Sequence, residues 1–129
     1  MSLKIQEVSL SIKGRLIVND VSINVKPGEV VGLMGPNGAG KTTTFNIAVG
    51  NIKPDKGEVL MNDKNITNLP LPTRSRLGLG YLTQEASIFR DLTVKENIDL
   101  ALQNSSYSRA VIRNRREQLI NEFNLNNFV

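Results

Sequence analysis

The 129-residue chain has no cysteine and no tryptophan, and aromatic residues make up only 5% of it. Without cysteine there is no disulfide framework, no thiol nucleophile and no thiolate metal site. The longest apolar runs are a few residues, far short of a membrane span, and the N-terminus has no basic region leading into an apolar core. These features read as a soluble, unexported chain. No internal repeat or low-complexity tract is visible. What remains is globular in composition, 40% hydrophobic and 22% charged, with a length suited to one core. The excess of 16 Lys and Arg over 12 Asp and Glu, a net charge of +4, favours anionic partners: a nucleotide, a nucleic acid or an anionic lipid surface.

Against this spare background the stretch GLMGPNGAGKTTTF, residues 32 to 45, stands out. Gly35, Gly40, Lys41 and Thr42 satisfy G-x-x-x-x-G-K-[ST], and they follow the apolar run Glu29 to Met34. A chain of this length matches those four positions by chance in roughly 0.5% of cases, and the flanks reduce that further. Strand, glycine loop and helix are expected in that order. Glycines let successive N–H groups point into one concavity at a helix N-terminus, where anions are held. The expected cradle spans Gly35, Pro36, Asn37, Gly38, Ala39, Gly40, Thr42 and Thr43. Lys41 reaches the β- and γ-phosphates, and the Thr42 hydroxyl faces Mg²⁺.

The remaining pattern is α/β. Apolar residues alternate from Leu3 to Ile12 with a change of parity between Ile5 and Val8, which a bulge at Gln6-Glu7 explains. Val21, Ile23 and Val25 alternate, and Lys26-Pro27-Gly28-Glu29 suits a type II turn. The run Val30 to Met34, apolar on both faces, reads as a central parallel strand. A helix from Lys41 to Val49 stops at Gly50. Lys53 to Gly57 turns into a strand over Glu58 to Met61. Pro70 and Pro72 frame a brief helix, and Tyr81-Leu82-Thr83 reads as a strand. Thr93-x-x-Glu96 is a capping box for a helix with Val94, Ile98, Ala101 and Leu102 on one face. A last helix, Ser108 to Phe123, carries Ile112, Leu119, Ile120 and Phe123. Both stripes read as core faces. Arg74, Arg76, Arg90, Arg109, Arg113, Arg115 and Arg116, dispersed among acids, read as solvated faces rather than a nucleic-acid surface.

A phosphate loop alone fits kinases, GTPases and transport ATPases alike. No guanine-reading N-K-x-D is present. GYLTQEASIF at residues 80 to 89, with VSINVKPGEVVGLMGPNGAGKTT upstream, resembles the nucleotide-binding domain of ABC transporters. NLPLPTRSRLGLGYLTQEASIFRDLTVKENI is similar in particular to the ATPase subunits of lipopolysaccharide exporters in that family. The resemblance implies a P-loop NTPase fold of the ABC type, present in part: an ATP-binding core with its β-subdomain to about residue 90, then the start of a helical subdomain over 91 to 129. It implies ATP and Mg²⁺ as ligands, Lys41 and Gln84 as the catalytic residues of the chain, and Thr42 and Gln84 toward the metal. Gln84 matches the Q-loop glutamine; its residue-level alternative is a solvated amide at a strand end. Ala86, Ile88, Phe89 and Leu92 match the surface that receives membrane-spanning subunits, although Phe89 without the resemblance reads as core. A second ATPase subunit is the other implied partner. No nucleic acid and no direct membrane insertion are expected, and the implied place is cytoplasmic, at the inner face of a bacterial inner membrane.

Two departures from the family pattern matter. The family's adenine-stacking aromatic aligns with Ile12, and the first aromatic residue is Phe45. The family's later aspartate, general-base glutamate, L-S-G-G-Q signature and switch histidine have no counterpart; histidine is absent altogether. The chain therefore reads as about the first half of such a domain, a fragment or a truncated product, that binds ATP and does not turn it over alone. A stand-alone regulatory or interaction module that binds nucleotide is the competing reading. Losing an aromatic stack should leave ATP and GTP within about tenfold of each other. Competition binding checks this, with Ile12→Tyr expected to shift the preference toward ATP.

Overall fold

A computed structural model describes residues 1 to 129 apart from 86, 104 and 106. The chain forms two compact units, Met1–Tyr81 and Leu82–Val129.

In the first unit, β1 (Leu3–Ile12) and β2 (Arg15–Val25) form a hairpin, closed at Lys13 and Gly14, both with positive φ. That is the backbone a two-residue hairpin turn requires. β3 (Lys56–Met61) adds antiparallel to β1, and β4 (Lys64–Asn65) to β3, so the sheet order is β2-β1-β3-β4. Asn62 and Asp63 at the β3–β4 turn also have positive φ. Lys4 Nζ meets Asp63 Oδ1 at 2.6 Å across the sheet.

The parity change in β1 is a bulge. The register shifts between Ile5 and Val8, and Glu7 has φ 48°. The extra residue returns Val8 and Leu10 to the face of Ile5, and all three are buried. Its cost is a backbone N–H without a ladder partner. Ser22 Oγ accepts from Glu7 N at 2.9 Å, and Ser9 Oγ accepts from Asp20 N at 2.9 Å, where β2 has its own positive-φ residue. That second irregularity has no hydrophobic signature, because it falls at polar positions.

Helix α1 (Lys41–Val49) lays Ile47, Ala48 and Val49 into the core with Ile5, Val8, Leu10, Val18, Val59, Met61, Ile66 and Leu79. Helix α2 (Leu71–Arg76) follows, with Pro in its first turn. The type II turn is present: Gly28 has φ 75°, and Glu29 N donates to Lys26 O at 3.1 Å.

Two expected strands are not found. Glu29 to Met34 has no strand structure; Val30 is 97% and Met34 92% exposed. A strand is defined by its ladder partners, and no described strand lies beside this segment. Tyr81 to Thr83 is irregular for the same reason.

Arg74 is the third correction. It is 0% exposed rather than solvated. Its guanidinium donates from Nη1 to the carbonyls of Ile47 (2.9 Å) and Ala48 (2.7 Å), from Nη2 to Thr67 O (2.9 Å), and from Nε to Leu69 O (2.8 Å). Burial lowers its pKa from the usual guanidinium value. Gly50, at φ 90°, makes room: a Cβ there would lie 2.7 Å from Arg74 Nε.

The second unit pairs α3 (Val94–Gln103) with α4 (Arg109–Glu122), followed by a 3-10 turn at Asn126–Phe128. Ile120 is buried, whereas Ala101 and Phe123 are exposed, so the apolar stripes are covered in part. Arg116 is a further departure from the solvated set, bonding Asp99 Oδ2 at 2.7 Å. The capping box forms in full: Thr93 N and Oγ1 both donate to Glu96 Oε2 at 2.7 Å, and Glu96 N donates to Thr93 Oγ1 at 3.3 Å. These bonds hold the Glu96 carboxyl below the ordinary glutamate range. A depressed carboxylate stabilises at pH values above its unfolded pKa, and that contribution disappears as pH falls through the folded value. Helical carbon shifts at Val94 to Ile98 should therefore weaken on acidification below the ordinary glutamate range. In Glu96→Gln that step should be missing.

Candidate phosphate-binding site

The loop from Gly35 to Gly40 leads from a segment without strand or helix into α1, and two local features give it its shape. Ala39 N donates to Pro36 O at 3.2 Å, closing a turn, and Gly38 and Gly40 have φ of 81° and 89°. Gly40 must be glycine for a second reason. A Cβ at that position would lie 2.5 Å from Ile17 O of β2, so the loop rests directly on the sheet backbone. Thr44, buried beneath it, donates from both N (2.9 Å) and Oγ1 (2.8 Å) to Gly40 O. The helix start is thereby fastened to the hairpin before any ligand is considered.

Gly40 occupies the N-cap position and has no side chain to cap α1, and the first turn holds no acidic residue. The opening N–H groups of a helix have no intrahelical acceptors. Here they include those of Thr42 and Thr43, and the helix dipole places partial positive charge among them. Pro36 to Ala39 and Thr42 are exposed, so an anion reaches this end of the helix from solvent. Lys41 folds back over the loop, with Nζ donating to the carbonyls of Gly35 and Pro36, the latter at 2.7 Å. An ammonium held only by neutral carbonyls, helix-end amides without a side-chain cap and an open approach make an anion cradle. The amide of Ala39, expected in that cradle, is engaged with Pro36 O in this structure.

The structure thus brings Gly35, Pro36, Asn37, Gly38, Ala39, Gly40, Lys41, Thr42 and Thr43 into one loop and helix start. Ile12 belongs to the same unit, at the hairpin end of β1 opposite Arg15, and is 42% exposed. An aliphatic side chain is therefore available at the position where an aromatic was expected in the family. Gln84 is in the other unit, in an exposed bend. Ile88 and Phe89, 64% and 58% exposed, sit with Leu92 in the same unit. Ala86 lies outside the described residues.

Sequence reading missed two residues that hold these segments in place. Asn97 is one: Oδ1 accepts from Phe89 N at 2.8 Å, and Nδ2 donates to the carbonyls of Phe89, Leu92 and Thr93 at 3.0 to 3.1 Å. It pins the backbone of the loop before α3 and leaves the side chains of Ile88 and Phe89 outward. Arg74 is the other. No motif marks either, because both act on backbone carbonyls brought to them by folding.

Residues 18–129 match the family model described as ABC transporter. The chain is 46% identical over 123 residues to the lipopolysaccharide export system ATP-binding protein LptB of Acidithiobacillus ferridurans, covering 95% of this chain and 51% of that protein. With the protein of the same name from Escherichia coli K12 it is 46% identical over 125 residues, covering 96% of this chain and 52% of that one. Among solved structures, an ATP-binding subunit of an ABC transporter superposes with TM-score 0.84 at 29% identity, over 99% of this chain and 52% of that one. A dimeric ATP-binding cassette bound to ADP and phosphate superposes with TM-score 0.73 at 27% identity, over 92% and 56%. The chain spans about half the length of the curated relatives it matches. The glycine loop on the hairpin, the family match over most of the chain and these superpositions agree: the chain belongs to the ABC transporter family, with the incomplete P-loop NTPase fold of its ATP-binding cassettes.

Proposed function

We propose that this chain is the ATP-binding portion of an ABC transporter ATPase that powers export of a lipid such as lipopolysaccharide. The observation that carries the nucleotide assignment is the uncapped start of α1 with Lys41 over the loop. The cargo assignment rests on the identity with lipopolysaccharide export proteins. We place the functional division near residue 90, with the ATP-binding core before it and the start of the helical subdomain after it.

In this reading Lys41 Nζ exchanges the carbonyls of Gly35 and Pro36 for the β- and γ-phosphates of ATP. The exchange replaces neutral acceptors with charged ones and so strengthens each bond. The amides of Gly38, Gly40, Thr42 and Thr43 donate to phosphate oxygens. Ile12 covers the base by apolar contact alone.

Among the described residues no group of three or more His, Cys, Asp or Glu could hold a metal ion by itself. Mg²⁺ would arrive as part of a magnesium nucleotide, with phosphate oxygens supplying the charge and the Thr42 hydroxyl a neutral ligand; the Q-loop match alone assigns the Gln84 amide to the metal as well. Bound in that way, the ion offsets phosphate charge. The same match assigns Gln84 the orienting of water, a role in which a neutral amide adds no charge.

Ile88, Phe89 and Leu92, with Ala86, form the surface for membrane-spanning subunits. Its apolar, aromatic character suits an anchor in a partner groove. A second ATPase subunit completes the assembly, a reading supported by the dimeric form of a related cassette. No helix among the described residues is long and apolar enough to cross a membrane. In this reading the protein works from the cytoplasmic face of a bacterial inner membrane through its partners.

Calorimetric titration of the 129-residue chain with Mg-ATP tests the loop. Binding is expected in the parent and its loss in Lys41→Ala; equal affinity in both would sink the assignment. A phosphate-release assay on the same pair should show no Lys41-dependent turnover, because Thr42 and Gln84 supply no general base. Such a base is typically worth about 10²- to 10⁴-fold.

A further inference from the structure

Arg74 is a buried cation, and among the described residues no carboxylate pairs with it. Burying an unpaired charge is costly, and hydrogen bonds to carbonyl dipoles recover only part of the cost. Two of its four acceptors, Ile47 O and Ala48 O, belong to the last turn of α1, the negative end of that helix. The other two, Thr67 O and Leu69 O, belong to the segment between β4 and α2. The arginine therefore ties the rear of the phosphate-loop helix to a separate part of the unit.

The helix depends on such ties. At nine residues it is too short to be stable alone in water. Its front end is fixed to β2 through Gly40, and its rear end is fixed by Arg74 and by Gly50, whose missing Cβ leaves room for Nε. The span between the two ends is about 13 Å at 1.5 Å per residue. A phosphate at the front end draws on amides whose direction is set by the helix axis.

We propose that Arg74 is a positioning residue for the phosphate loop: by clamping the C-terminal carbonyls of α1 it fixes the helix axis that aims the Gly40 to Thr43 amides at the nucleotide's phosphates. The inference rests on the nucleotide reading above. It makes two demands. Weakening the clamp must weaken binding of the phosphate chain whatever base is attached. Reciprocally, filling the loop must tighten the clamp, since coupling between two sites acts equally in both directions.

The experiment uses the full chain with Mg-ATP and with inorganic tripolyphosphate as probes. In the parent, exchange of the Arg74 Nε proton, followed by NMR, should slow when ATP saturates the loop. Arg74→Lys keeps the charge and makes fewer bonds; it should lose about three- to tenfold in affinity, the effect of one or two hydrogen bonds, equally for both probes. Gly50→Ala, which crowds Nε, should do the same. Amide exchange at Val8, Val18 and Val59 reports whether each variant keeps its sheet.

If the parent binds no ATP, the nucleotide reading falls and this inference with it. If the parent binds ATP but the Nε exchange is unmoved, the positioning role alone is overturned. A folded Arg74→Lys chain with parental affinity overturns it too, as does a loss confined to ATP with tripolyphosphate unaffected. Should both variants lose the sheet, the exchange measurement in the parent decides.

Discussion

A helix of nine residues has to be held from outside, and the arrangement of the first unit follows from how α1 is held. Its nucleation cost exceeds what so few internal hydrogen bonds return. Three tertiary contacts make up the difference. Ile47, Ala48 and Val49 bury an apolar face against the sheet. Gly40 allows the helix start to touch the backbone of β2. Arg74 gathers the carbonyls at the far end. The sheet must therefore present a well-ordered inner face, and the bulge at Glu7 provides it by restoring parity between Ile5 and Val8.

The same constraint explains why polar side chains recur at backbone groups throughout the chain. Each irregularity that shapes the fold leaves an N–H or C=O without a ladder or helix partner, and such groups cannot be left buried and unpaired. Ser22 and Ser9 serve the two bulges, Arg74 serves the end of α1, and Asn97 serves the loop that presents Ile88 and Phe89. Thr93 and Glu96 serve the start of α3. Apart from Thr93 and Glu96, which also bond to each other, these side chains bond to backbone, so they fix conformation without depending on the geometry of a second side chain.

The anion cradle is the opposite case, a helix end whose amides are left without a side-chain cap. Exposure makes that tolerable, since water can serve amides that the protein does not. Lys41, lying over the loop carbonyls, keeps a positive charge at the site while it is engaged elsewhere. Only weak competition therefore stands between the loop and a phosphate. A neutral carbonyl is a poorer acceptor for an ammonium than a phosphate oxygen.

Much of this was legible in the residues because it is local. The loop of Gly35, Gly40, Lys41 and Thr42, the Gly28 turn, the parity change in β1, the helix stop at Gly50 and the capping box at Thr93 each depend on neighbours a few positions away. Local chemistry repeats wherever the same residues occur. The expected strand at Val30 to Met34 failed on the same ground: an apolar pattern states that a segment can be a strand, but pairing partners make it one, and no described strand lies beside it. The arginines show the other limit. Arg74 and Arg76 are two positions apart in similar surroundings of sequence, yet one is wholly buried and the other exposed. Sequence determined that a cation stands at each. Tertiary structure alone decided which of them meets four carbonyls from α1 and the segment beyond β4, because those acceptors converge only once the sheet, α1 and α2 have packed.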